Sequence, residues 1–285
     1  MKKILMGFLI ILSLSGCFKR DNMEDITIYT TIYPLNYITD YLYGDNAKIY
    51  SVYPSGVDVT TYELTNKQIE DYSNNDLFVF NSLDRDRDYA VKMINKNKNL
   101  KIIDVALGME TINSIEELWL NPYNYLMMAQ NLKNGLNEYI ENPYLIKEID
   151  NNYEDLKLKL SKLDATIKTT VNSSNYNTNV VDNHLFKFLE KYDLNVISLE
   201  EDDSLTQKKI DDVKRMINNG TIKYIYTKDN TTNDTVQKIL DTYKKVELIK
   251  INDMFSNDGG VTNSNENYLT IMNDNIDLIK KELYK

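Results

Sequence analysis

The chain has 285 residues, a formal charge of −10, and one histidine and one cysteine. A single histidine excludes any site built from three imidazoles, and a single cysteine excludes an intramolecular disulfide. The acidic balance argues against nucleic-acid binding, which relies on lysines and arginines to neutralise phosphates, and it is compatible with a cationic ligand.

The chain opens "MKKILMGFLIILSLSGC": two lysines, an apolar run over 4–14, small residues and the cysteine. That order is an export signal, and the run is shorter than the roughly 20 residues a membrane-spanning helix needs. Leu14-Ser15-Gly16-Cys17 resembles the bacterial lipobox, in which the signal is cut before the cysteine and its sulfur receives a diacylglycerol. The expectation is a signal peptide over 1–16 and a lipidated tether over 17–25. Two or more acyl chains on Cys17 would hold the protein stably on the extracytoplasmic face of the cell membrane. Loss of Lys2 and Lys3 with the signal takes the formal charge from −10 to −12.

After the tether, strand-like runs at 26–33, 48–53, 77–80 and 100–105 alternate with helical spacing at 35–42, 66–72 and 89–95. Such alternation predicts a parallel sheet covered by helices. Asn142-Pro143 then opens an amphipathic stretch, with the asparagine as cap and the proline in the first turn. Leu145, Ile149, Tyr153, Leu156, Leu160, Leu163, Ile167 and Val171 recur at spacings of three and four, one apolar stripe along a helix over 143–172. At 1.5 Å per residue it would be about 45 Å long, enough to run past two domains. A coiled-coil seam is the rival use of such a stripe.

The alternation returns: strands at 179–182, 195–199, 223–227 and 247–251, with helices at 185–192, 206–217, 232–243 and 265–283. The fold class is therefore α/β: two α/β lobes with parallel-type sheets, over 26–142 and 173–285, joined by one long backbone helix over 143–172.

The most specific stretch is "YPSGVDVTTYELTNKQIEDYSNNDLFVFNSL" at 53–83; "TTIYPLNYI" at 30–38, "LWLNP" at 118–122, "LEKYDLNVISL" at 189–199 and the closing "YLTIMNDNIDLIKKEL" accompany it. In this order the segments resemble the solute-binding lipoproteins of ABC importers for zinc and manganese, across essentially the whole chain after the signal. That resemblance implies two lobes on a backbone helix, an extracytoplasmic monomer, and an ABC permease with its ATPase as partners. It implies a divalent metal ion, manganese or zinc, as cargo in the inter-lobe cleft.

The resemblance also assigns the site, and there the chain departs from the pattern. The family's first histidine falls on Thr60, the histidine before Trp-Leu-Asp-Pro on Glu117, the third ligand on Asp182, and the last, acidic one on Asp253; that motif's aspartate is Asn121. His184, two residues beyond Asp182, is a further candidate, with helix capping or packing as its other reading. Oxygen-only ligands suit hard ions such as manganese, magnesium or calcium better than zinc, although carboxylates also bind zinc. Clustered carboxylates raise each other's pKa, so something positive must neutralise them, either an ion or a lysine such as Lys228. If the Lys228 ammonium takes the metal's place, the alternative holds: a degenerate member carrying another solute or none, or a surface adhesin or partner-binding lipoprotein. No Ser/His/Asp or Cys/His nucleophile system and no phosphate-binding glycine loop is present, because Gly259-Gly260 lies in a polar loop; the expectation is that the protein is not an enzyme.

Overall fold

The computed structural model describes residues 23–228, 232–255 and 267–285; the signal, Cys17 and the Gly259-Gly260 loop lie outside them. The first sheet consists of β1 (Ile26–Thr30), β2 (Ala47–Ser51), β3 (Leu77–Phe80) and β4 (Lys101–Asp104), all parallel, in the order β2-β1-β3-β4. Parallel strands need crossovers, supplied here by α1 (Tyr33–Tyr43), α2 (Asn66–Ser73) and α3 (Asp86–Lys96). β3 reads Leu-Phe-Val-Phe and is buried on both faces, as an inner strand covered by helices must be. The predicted first strand is cut short because Ile32 becomes the extended cap of α1, where Pro34 occupies the first turn and has no amide to leave unpaired. Thr65 and Gln68 form a reciprocal capping box that starts α2.

Two short connections then carry the chain through α4 (Glu117–Leu120) and α5 (Pro122–Tyr139) into α6 (Pro143–Asn172). α5 and α6 begin with the same words, Asn-Pro-Tyr. In each, the asparagine Oδ1 accepts a hydrogen bond from the tyrosine amide, at 3.2 Å for Asn121 and Tyr123 and 2.9 Å for Asn142 and Tyr144. All eight residues of the predicted α6 stripe are buried. They pack the helix on α1 and α5 on one side and, further along, on α9 (Tyr268–Leu283).

The second sheet repeats the first: β5 (Thr178–Val181), β6 (Asn195–Ser198), β7 (Tyr224–Thr227) and β8 (Glu247–Lys250), parallel, in the order β6-β5-β7-β8. α7 (Gln207–Asn218) and α8 (Asp234–Thr242) supply two of its crossovers. The helix predicted over 185–192 is instead a 3-10 segment, Lys187–Tyr192. It is bounded by Phe186 at φ +66° and Asp193 at φ +68°, and left-handed residues at both ends break α-helical hydrogen bonding. Phe186, Phe188, Leu189 and Tyr192 nevertheless point into the main core, which runs through both sheets and α6. A smaller cluster, including Val180, Val213, Ile225 and Val236, seals the second sheet against α7 and α8. Among the described residues no helix is long and apolar enough to cross a membrane.

Candidate functional site

Both sheets share a strand order in which the chain first builds outward from β1 or β5 on one side, then returns to the other. In open α/β sheets, ligands bind outside the carboxyl ends of the strands at that reversal. In the first sheet the residues leaving β1 and β3 are Thr31 and Asn81, both buried. In the second, Asp182 leaves β5 and Lys228 leaves β7, with Asn252 and Asp253 just beyond β8. Asp182 is buried, and its amide donates to the Tyr226 carbonyl at 3.0 Å, which continues the β5–β7 pairing by one rung. Asn233, the cap of α8, donates its Nδ2 to the carbonyls of Asp182 (2.7 Å) and Leu199 (2.8 Å), tying together the ends of two strands.

The segment around α4 reaches these strand ends from the other lobe. Trp119, the only tryptophan, donates its Nε1 hydrogen to the Asp253 carbonyl at 2.6 Å and lies 5.5 Å from the Phe255 ring, centre to centre. The Tyr268 hydroxyl donates to the Trp119 carbonyl at 2.6 Å. The Lys228 ammonium crosses to the Glu116 carboxylate, an ion pair in which the glutamate side chain is 4% exposed and the lysine 30%. Glu117 points elsewhere: buried, it accepts from the Asn113 side-chain amide and from the Ile112 amide at 3.4 Å, so its carboxylate is held by the loop before α4.

Of the other sequence-predicted positions, Thr60 and His184 have partners elsewhere, whereas Asp253 stands in the junction through its carbonyl. Thr60 is exposed in the loop after β2, its amide and hydroxyl both donating to Asp58, whose carboxyl is lowered by these hydrogen bonds. The Thr60 carbonyl accepts from Arg85 at 3.2 Å. His184 Nε2 is 2.8 Å from Asp202 Oδ2, and hydrogen bonds from Ser204 and then His184 bring the Asp202 carboxyl down to about 2. His184 thus has Asp202 as its carboxylate partner. Asp253 Oδ1 accepts the Phe255 amide at 3.0 Å. Among the described residues, no three of His, Cys, Asp and Glu are grouped so as to hold a metal ion.

Sequence reasoning missed Glu116 and Asn233. The first carried no signal, since its partner is 112 positions away; the second sits in an Asn-Asp helix start that the cap pattern could have flagged.

The sequence matches the family described as zinc-uptake complex component A, periplasmic (ZnuA), over residues 28–282. It is 22% identical to the zinc-binding lipoprotein AdcA of Streptococcus pneumoniae over 312 residues, covering 99% of this chain and 61% of AdcA. It is 25% identical to a metal ABC transporter substrate-binding lipoprotein of Lactococcus lactis over 315 residues, covering 100% of this chain and 98% of that one. The fold is similar to the Zn(II)-bound ZnuA-like domain of AdcA, with a TM-score of 0.73 at 20% identity over 92% of this chain and 100% of that one. It is also similar to the metal-dependent lipoprotein YcdH of Bacillus subtilis, with a TM-score of 0.72 at 19% identity and the same coverages. With a match that runs from β1 to α9 through both sheets and the helix between them, the chain belongs to the periplasmic zinc-uptake component A family.

Proposed function

We propose that the protein is the extracytoplasmic solute-binding lipoprotein of an ABC importer and carries a divalent metal ion, manganese or zinc, to a membrane permease driven by a separate ATPase. The observation that carries this reading is the family match over 28–282, which takes in both switch points and the segments bearing Thr60, Glu117, Asp182, Asp253 and His184. Glu117, Asp182 and Asp253 are the first-choice ligands, Thr60 a neutral oxygen donor and His184 a further candidate through an imidazole nitrogen; Cys17 carries the lipid anchor. Such a set favours manganese over zinc, since carboxylate and hydroxyl oxygens suit the harder ion. Loading requires the Glu117 carboxylate to leave Asn113 and turn toward the strand ends. The lobes move modestly in this scheme, by shear rather than wide hinge opening, because α6 spans both.

Calorimetric titration of the chain from Phe18 with manganese and zinc tests the reading, beside a Glu117→Ala, Asp253→Ala double variant. Binding by the unaltered chain that the variant loses supports it. Absence of binding by the unaltered chain sinks it in favour of a family member that has given up metal for another solute or a protein partner. Cys17→Ala is expected to release the protein from the membrane fraction, and retention there would refute the anchor.

A further inference from the structure

Lys228 stands at the reversal point of the second sheet, one step beyond the end of β7. Its two neighbouring strands, β5 and β8, end in the stretches that carry Asp182 and Asp253. From there its side chain crosses to Glu116, which belongs to the other lobe and is next in sequence to Glu117. The glutamate is almost wholly buried, beside Leu118, Trp119 and Leu120, which are fully buried. A carboxylate removed from water in this way needs a positive charge in contact, and in this structure the ammonium of Lys228 supplies it.

We infer that Lys228 is a built-in counter-cation of the cleft, whose ammonium a divalent cargo must displace from Glu116 before the acidic groups can close on the ion. The inference rests on the metal-carrier reading above and adds two consequences to it. In the cargo-free protein the Lys228–Glu116 pair is a charged strut between the lobes, beside the Trp119–Asp253 and Tyr268–Trp119 hydrogen bonds. In the loaded protein the ion takes over neutralisation of the buried Glu116 carboxylate and the lysine swings toward water, because an ammonium left beside the ion would repel it. Its side chain is partly exposed already and has a four-carbon stem, so the swing needs no backbone movement. Lys228 therefore sets affinity for all divalent cations alike, and selection among them falls to the oxygen donors.

Calorimetric titration of the chain from Phe18, which contains every element described, with manganese chloride and with zinc chloride tests this. Lys228→Met keeps the length of the side chain and removes its charge; it is expected to bind at least about tenfold more tightly than the unaltered protein, through loss of like-charge repulsion. Lys228→Arg keeps the charge and is expected to stay within about threefold of the unaltered protein. Metal binding by Lys228→Met alone would overturn the inference together with the carrier reading, because the ammonium would then hold the site permanently instead of yielding it to a cargo. Equal affinity of Lys228→Met and the unaltered protein overturns the inference and leaves the carrier reading standing; binding by neither overturns both. Should Lys228→Met fail to fold, the unaltered protein still decides: an amine-reactive ester, read by peptide mass spectrometry with exposed Lys244 as internal standard, should label Lys228 at least about threefold faster in saturating manganese. An unchanged labelling rate overturns the inference.

Discussion

Asp86 opens α3 as one of the few carboxylates buried behind the first sheet, with the Tyr53 hydroxyl 3.3 Å from its Oδ1. Burial, helped by the charge of Asp84, pushes its carboxyl from 3.8 up to about 7, while the neighbouring polar groups of Thr31, Asn81 and Tyr53 hold it back from rising further. The folded value lies above the unfolded one, so between these two values the folded chain keeps a proton that the unfolded chain has released. The protonated carboxyl therefore contributes its full stability below about pH 4, and that contribution is lost as the pH rises toward about 7. Asp86→Asn removes the titration while keeping the shape. Its urea midpoint, compared with that of the unaltered protein, should be relatively higher at about pH 8 than at about pH 5. A constant offset between the two proteins across that range would show that Asp86 does not titrate there. Asp86 also illustrates what a sequence conceals, since "DRDRD" reads as a solvated charge run and only the packing of Tyr53 and β3 against it makes one of its aspartates a buried acid.

The stripe of α6 is the clearest case of an element legible before the fold. Spacings of three and four admit one buried face, and Leu145 through Val171 occupy it. Leu156 and Leu158 test the phase: the first is fully buried, the second 70% exposed, two residues along the same helix. Leu156→Ala should lower stability by about 2–5 kcal/mol and Leu158→Ala by no more than about 0.5 kcal/mol, as measured by chemical denaturation. Similar losses at both positions would place the stripe wrongly. α5 was not legible as a helix, although its Asn121-Pro122 start uses the same chemistry as Asn142-Pro143. Its apolar residues are diluted by asparagines and Gly135, and the segment reads more readily as a turn. The glycine is needed there: a Cβ at position 135 would come within 2.7 Å of Ile103 Cγ2 and 2.9 Å of its Cγ1, on β4. Alanine would gain about 1 kcal/mol of helix propensity at this position. The forced overlap with a β-branched core residue costs about 1–3 kcal/mol, so Gly135→Ala should be destabilising overall, by a lowered denaturation midpoint. A stabilised variant would mean that β4 and α5 are free to move apart.

On the scale of the whole molecule, two sheets with the same strand order face a common junction and share one 30-residue helix. The sheets and the helix are consequences of periodicity, which sequence carries. The junction is not, because it joins Glu116 to Lys228, Trp119 to Asp253 and Tyr268 to Trp119 across separations of 112, 134 and 149 positions. That is why Glu117 and Asp253 were legible as candidates by their place in the motifs, and Lys228 by its place after a strand, whereas the loop that holds Glu117 and the carboxylate that Lys228 pairs with, Glu116, were not. The division also decides how the molecule can move. α6 buries its stripe on α1 and α5 at one end and α9 at the other, so melting it would open the main core of both lobes. At the junction the packing of Trp119 is supplemented, among the described residues, by the hydrogen bonds and the Lys228–Glu116 ion pair, which are cheaper to rearrange than the packed stripe of α6. Hydrogen exchange with and without saturating manganese should therefore leave the amides of α6 unchanged, within about twofold, while peptides covering 112–121 and 249–255 change their protection as the junction rearranges. Protection of α6 that rises about tenfold or more on loading would mean that the helix itself unfolds in the empty protein, and a hinge within the rod would then have to replace sliding at its flanks.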